Sequence, residues 1–175
     1  SADCIRVHFP SGTLYDTLFF VYNVRNHIRT FLSPVHSVHN KTVAVHDRYR
    51  LSIRPDTVIA GMEGKMCLAM LDGKGTPLYS GGDLRYGYVS GDVNALGDYV
   101  VTIDTVAPLI KPSFASGANL TGRQSFTVTI TDEFSGIKNY DTLIDGEWML
   151  AEYDAKNDLL IYRPETPVLK ENTIH

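Results

Sequence analysis

In the segment SFTVTIT, apolar and hydroxyl side chains take strict turns. Phe126, Val128 and Ile130 fall on one side, and Ser125, Thr127, Thr129 and Thr131 on the other. Successive side chains of an extended chain point to opposite faces, so this period of two marks a half-buried antiparallel strand. The same period recurs along the chain. RYRLSIR sets Tyr49, Leu51 and Ile53 inward and Arg48, Arg50, Ser52 and Arg54 outward. CIRVHF groups Ile5, Val7 and Phe9, and DYVVTID groups Tyr99, Val101 and Ile103. GKMCLAML is more uniformly apolar and reads as a central strand. No segment carries an apolar stripe of helical period over three turns. Between the strands lie hairpin signals. Asp72-Gly73 and Asp145-Gly146 suit the positive φ angles of tight turns, and YDAKNDLL (Tyr153 to Leu160) suits a longer hairpin. Many short strands with frequent turn signals predict an all-β chain of two tandem immunoglobulin-like β-sandwich domains.

The boundary is expected in IDTVAPLIKP (Ile103 to Pro112), where a strand ends and Pro108 and Pro112 follow. Proline stiffens a linker and cannot continue a central strand. The predicted domains are residues 1–104 and 105–175. The second is short against the roughly 100 residues of a seven-stranded sandwich. It stops at LKENTIH, where another strand is expected to begin, so it is expected to be incomplete at its C-terminus.

Composition narrows the function. The net charge is −4 and charged residues make up 21%, without a basic cluster, which argues against a nucleic-acid surface. No apolar run approaches the roughly 20 residues of a membrane helix, so no membrane span is expected. Ser1-Ala2-Asp3-Cys4 leads directly into strand-like sequence, without a visible signal peptide. Cys4 and Cys67 are expected as small apolar strand residues, with a single disulfide as the alternative; two cysteines make neither a framework nor a zinc site.

Three of the six histidines, His36, His39 and His46, fall within SPVHSVHNKTVAVHD. Zinc needs three or four ligands converging on one point. The β-branched neighbours Val35, Val38, Thr42, Val43 and Val45 favour a strand, on which His36 and His39 point to opposite faces. His46 is expected to face solvent. The three therefore read first as strand and surface histidines, and only weakly as metal ligands. The chain contains no H-E-x-x-H, G-x-S-x-G or G-x-x-x-x-G-K-[ST] motif. The glycine-rich YSGGD (Tyr79 to Asp83) reads as a loop. Asp132, Glu133, Asp141 and Asp145 are the acids expected around turns, although a glycosidase-like pair is imaginable. Arg48, Arg50 and Arg54 share a strand face that suits cross-strand acids better than an anionic polymer. Trp148, the only tryptophan, is expected in the core with Tyr140 and Tyr153 nearby; exposed, the three could stack on a sugar. No cofactor and no catalytic residue is assigned.

Four segments, in order, carry a resemblance: FPSGTLYDTLFFVYNV, SPVHSVHNKTVAVHDRYRLSIRPD, GGDLRYGYVSGDVNALGDYVVTIDTVAP and FTVTITDEFSGIKNYDTLIDGEWMLAEYDAKNDLLIY. Together they resemble the C-terminal, non-catalytic region of exported bacterial zinc metallopeptidases of the lysostaphin/LytM type, which are peptidoglycan endopeptidases. DEFSGIKNYDTLIDGEWMLAEYDAKNDLL is the most specific piece. The first domain also resembles, more loosely, the β-sandwich shared by netrin receptors and ankyrins, with FPSGTL at the usual opening and SPV leading toward YRLSI. The peptidases hold zinc with H-x-x-x-D and H-x-H pairs. This sequence has neither, so the resemblance places the catalytic domain upstream.

What the resemblance implies is a periplasmic, cell-surface or extracellular protein that positions a peptidase near peptidoglycan or an envelope protein. The alternative is a stand-alone module for surface glycans or proteins, of the adhesin or lectin class. An exposed aromatic platform around Trp148 would favour that alternative, and a buried Trp148 would favour a spacer. Asp-Thr-aliphatic occurs at Thr17, Thr57, Thr105 and Thr142. It resembles an O-glycosylation acceptor motif of exported proteins in some Gram-negative gut bacteria. Strand ends and turns account for the same pattern, because both side chains bond to nearby backbone.

Overall fold

The computed structural model describes residues 3–25, 30–120, 122–144 and 146–163. It divides into two units, Ser1–Thr105 and Val106–His175. Among the described residues there is no α-helix, only a short 3-10 turn at Glu63–Lys65, and every strand pairing is antiparallel.

The first unit contains β1 (Ile5–His8), β2 (Tyr22–Arg25), β3 (Val35–Val38), β4 (Tyr49–Ile53) and β5 (Met66–Leu71). It continues with β6 (Pro77–Tyr79), β7 (Asp83–Arg85), β8 (Tyr88–Val93) and β9 (Gly97–Ile103). One sheet has the order β1-β4-β8-β7, the other β2-β3-β9-β5-β6. The core lies between them: Tyr49, Leu51, Ile53, Val89 and Val93 from the first sheet meet Val38, Met66, Leu68, Tyr99 and Val101 from the second. Burying one such side chain contributes about 1.5–3 kcal/mol. The inward set of β4 is the one its alternation predicts. Ser52 differs: it is buried because Ser90, directly across on β8, bonds its hydroxyl at 2.8 Å. In β9, Val100 and Thr102 are buried as well as Tyr99 and Val101, so this strand is covered on both faces.

Two local expectations change. Thr42 to His46 form no strand, although Val43 and Val45 still point inward and Thr42, Ala44 and His46 outward. The segment spends its polar groups on turns, with Thr42 N–H on Asn40 Oδ1 at 3.0 Å and His46 N–H on the Thr13 carbonyl at 2.7 Å. In the β5–β6 hairpin the positive φ falls on Gly75 (84°), not Gly73. Asp72 works through its carboxylate, which accepts from Lys74 and Thr76 N–H and closes the loop. Where β8 passes closest to the loop before β7, Gly91 faces Gly82. A Cβ on Gly91 would stand 3.1 Å from the Gly82 backbone, so a larger residue there would have to push the loop before β7 away by a few tenths of an ångström.

The second unit contains β10 (Leu109–Pro112), β11 (Phe126–Thr131), β12 (Thr142–Ile144), β13 (Glu147–Met149), β14 (Glu152–Asp154) and β15 (Leu159–Tyr162). Four strands form a sheet of order β10-β11-β15-β14, and β12 and β13 form a separate ribbon. Its buried apolar residues are Ile130, Ala151 and Tyr162, while Leu109, Ile110, Leu143 and Leu150 are exposed. Phe126 meets Phe114 edge-on and Tyr162 at a tilt, at centroid distances of 6.1 and 5.2 Å. The YDAKNDLL hairpin forms as predicted, with Asp154 paired to Leu159 and Asp158 in the left-handed region (φ 55°). Gly146 turns the β12–β13 ribbon at φ 84°, while its predicted companion Asp145 lies outside the described residues. So do residues 164–175, where a further strand is expected to begin.

Candidate functional site

The three histidines occupy three different settings. His36 sits in β3 with 1% of its surface exposed. Its Nδ1 lies 2.8 Å from the Tyr22 hydroxyl, the two rings are nearly parallel, and its buried Nε2 has no hydrogen-bond partner among the described residues. Burial pulls its pKa down, with Asp56 opposing. His39 follows the end of β3 with φ 58°, so strand alternation does not decide where its ring points. Its Nδ1 accepts from Val21 N–H at 3.2 Å, and its ring stacks on Phe20. His46 is exposed and meets Tyr15 edge-on at 5.0 Å. Each ring thus has its own aromatic neighbour. Among the described residues no group of three or more His, Cys, Asp or Glu could hold a metal ion.

The arginine face is engaged with acids. Arg50 Nε bonds Asp92 Oδ1 at 2.9 Å, directly across on β8, and Arg48 donates to the Asp92 carbonyl at 3.4 Å. Arg54 bonds Asp3 Oδ2 at 3.0 Å. Around Asp3 the sequence hid a larger cluster. The Tyr88 hydroxyl sits 2.7 Å from Asp3 Oδ1, Arg6 bonds the same oxygen at 3.0 Å, and the Arg6 and Arg54 guanidiniums lie over the Tyr88 ring at 4.2 and 5.1 Å. Tyr88 first and Arg6 next hold the Asp3 carboxyl below its ordinary pKa. Solvent screens pairs as exposed as these, so they order the surface more than they stabilise it.

Trp148 reverses its expectation. It is 63% exposed on β13, directly opposite Leu143 of β12, which is 62% exposed. Thr142, Ile144 and Met149 are half-buried, so the ribbon turns one face inward and leaves Leu143 and Trp148 on the other. Tyr140 and Tyr153 form their own pair, with centroids 5.7 Å apart, and the Tyr140 hydroxyl donates to the Ala151 carbonyl at 3.1 Å. Of the acids weighed with them, Asp132 is a turn residue. Burial raises its pKa, but N–H bonds from Phe134, Gly136 and Ser135 outweigh that and leave it lowered. Glu133 and Asp141 are exposed, and Asp145 is not described. Of the four candidate glycosylation threonines, Thr17, Thr57 and Thr105 are exposed and Thr142 is half-buried in β12.

No disulfide joins Cys4 and Cys67. Cys67 is buried, and burial first, with Asp104 adding, pushes its thiol up to about 12. Two exposed aromatic features escaped the sequence reading. Tyr86 is fully exposed at the β7–β8 turn in the left-handed region (φ 52°). Tyr15 to Val24 expose Phe19, Phe20, Val21 and Tyr22 along one edge. The unalternating run LFFVY was the available signal for the second. Among the described residues no helix is long and apolar enough to cross a membrane.

No curated protein and no solved structure is similar enough to this chain to be matched. The Zu5-like domain model matches residues 1–104, which is the first unit less its final residue. With that match spanning more than half of its length, the chain belongs to the Zu5-like domain family.

Proposed function

We propose that this chain is a non-catalytic accessory region of an exported bacterial cell-wall metallopeptidase. It holds a catalytic domain, located elsewhere in a longer protein, close to its peptidoglycan substrate. The mechanism is effective concentration: a tethered weak binder raises the local amount of enzyme without making any new catalytic contact. The observation that carries a binding role over a plain spacer is the exposed Trp148–Leu143 pair. An exposed indole beside an exposed leucine offers apolar surface with a polar N–H edge, which suits a sugar ring or a partner side chain. The first unit's ionic groups support the same reading, because Arg48, Arg50 and Arg54 are spent on Asp92 and Asp3 rather than held toward a substrate.

The exposure of Trp148 is the feature expected of a second reading, a stand-alone module for surface glycans or proteins. Sedimentation with insoluble peptidoglycan, beside metal analysis of the same sample, separates the two. Wall binding that Trp148→Ala weakens, without zinc, supports the accessory role. Binding to other surface glycans but not to wall supports the stand-alone module. Stoichiometric zinc would overturn both and return attention to His36, His39 and His46. In the proposed compartment the exposed Thr17, Thr57 and Thr105 are accessible acceptors for sugar; an unmodified intact mass from the native host removes that part of the proposal.

A further inference from the structure

We propose that residues 20–25, which are β2 and the two residues before it, form a strap that acid releases from β3, because two neutral imidazoles hold it in place. His39 holds the entry to the strand. Val21 N–H donates to His39 Nδ1 at 3.2 Å, His39 N–H returns a bond to the Val21 carbonyl at 2.9 Å, and the Phe20 ring stacks on the imidazole. A nitrogen that accepts needs a lone pair. An imidazolium carries N–H on both nitrogens and has none left, so protonation of His39 sets two N–H groups against each other.

His36 holds the strand itself. Directly opposed residues share a face, so Val24 of β2, His36 and Tyr99 of β9 point to the same side. Tyr22 lies over the imidazole, with its hydroxyl 2.8 Å from Nδ1. A neutral ring uses Nδ1 on Tyr22 and leaves Nε2 without a partner among the described residues. A charged ring would place a second N–H there, with its charge, at 1% exposure and with no acceptor. Water can reach it by one of two ways. β9 is covered on both faces, whereas β2 is a four-residue end strand with every residue exposed. Lifting β2 is therefore the smaller opening.

The ionisable groups around the strap come from several elements. Asp56, after β4, favours the charged form of His36, but burial outweighs it. Tyr99 of β9 faces the same ring, and burial first and Cys4 second keep the Tyr22 hydroxyl protonated. Asp98 of β9 holds Arg25 and the Ser37 hydroxyl, and Lys41 follows His39 by two residues. The docked strap binds fewer protons than the released one. Docking is therefore whole above the ordinary histidine pKa of about 6.5 and weakens below it, approaching about tenfold per pH unit for each proton taken up on release.

The test is native-state hydrogen exchange of the 175-residue chain from about pH 7.5 to about pH 5, with protection corrected for the intrinsic pH dependence of exchange. The Val21 and His39 amides report the strap. The Val101 amide, bonded to the buried Ser33 hydroxyl at 2.8 Å, reports opening of the whole unit. The expected result is that the two strap amides are less protected than Val101 throughout, and that their protection falls at least about tenfold over this range. Strap amides that exchange only together with Val101 overturn the proposal, as does a separate opening that pH leaves unchanged. The double variant His36→Phe with His39→Asn should hold the strap at every pH, because phenylalanine keeps the buried ring and asparagine accepts without titrating and suits the positive φ at 39. A slope that survives in it belongs to Asp56, Asp98 or another group and overturns the proposal. If the double variant fails to fold, His39→Asn alone should lessen the fall at Val21, and an equal fall overturns the proposal.

Discussion

Replacing Tyr49 and Tyr99 by Phe, singly and together, probes the bolt that joins the two sheets of the first unit. Tyr49 is on β4 in one sheet and Tyr99 on β9 in the other, and both side chains are fully buried. Their hydroxyls donate to the same acceptor, the Ala95 carbonyl, at 2.8 and 2.6 Å. Phe keeps the ring packing and leaves no polar atom of its own. Each single replacement should cost about 0.5–1.5 kcal/mol, because the other hydroxyl still satisfies the carbonyl. The double replacement strips the carbonyl of both donors and adds the penalty for an orphaned buried acceptor, about 1–3 kcal/mol. The double should therefore exceed the sum of the singles by about 1 kcal/mol or more. Native-state hydrogen exchange at the Leu51 and Val101 amides reads the opening free energy of this unit by itself. Additivity within about 0.3–0.5 kcal/mol would refute the shared-acceptor argument. Alkali gives a second arm. Burial pushes both hydroxyls up, Tyr99 to about 12 with its bond to Tyr49 opposing. Their contribution is whole below the unfolded tyrosine pKa of about 10 and falls as pH rises above it. The double variant should lose much of that alkaline slope.

Three further outcomes follow from the same core. His36 has a lowered pKa because it is buried, so the unfolded chain takes up its proton first. Stability should be intact above the unfolded histidine pKa of about 6.5 and fall with pH below it; His36→Leu should flatten that limb in acid titrations followed by circular dichroism, and an unchanged slope would sink the assignment. Gly91→Ala should cost about 1–3 kcal/mol in urea unfolding, because the new methyl crowds the Gly82 backbone at 3.1 Å and the buried Leu68 side chain at 3.3 Å. A maleimide should label Cys4 in the folded protein and reach Cys67 only on unfolding, since the Cys67 thiol is buried and its pKa is raised to about 12; equal labelling under native conditions would contradict the packing of β5.

The sequence by itself determined the class of this protein, because the period-two pattern is local. Residues alternate along a strand whatever lies beside it, so Tyr49, Leu51 and Ile53 could be read as one inward face from RYRLSIR alone. Turn chemistry was legible to the same degree. Asp-Gly and the DAKND loop announced reversals, while which glycine takes the positive φ depended on where the Asp72 carboxylate closed its bonds. Everything that needed a neighbour was decided by the tertiary structure. Ser52 is buried because Ser90 stands across from it, and the Asp3 cluster exists because β1 lies beside β4 and β4 beside β8. His36 is buried because Tyr22 of β2 closes over it, although its spacing to His39 says nothing of β2. Trp148 is exposed because it shares with Leu143 the outward face of the β12–β13 ribbon. Whether an aromatic side chain becomes core or contact surface depends on which strand comes to lie over it, and that is a property of sheet order, which no local period encodes.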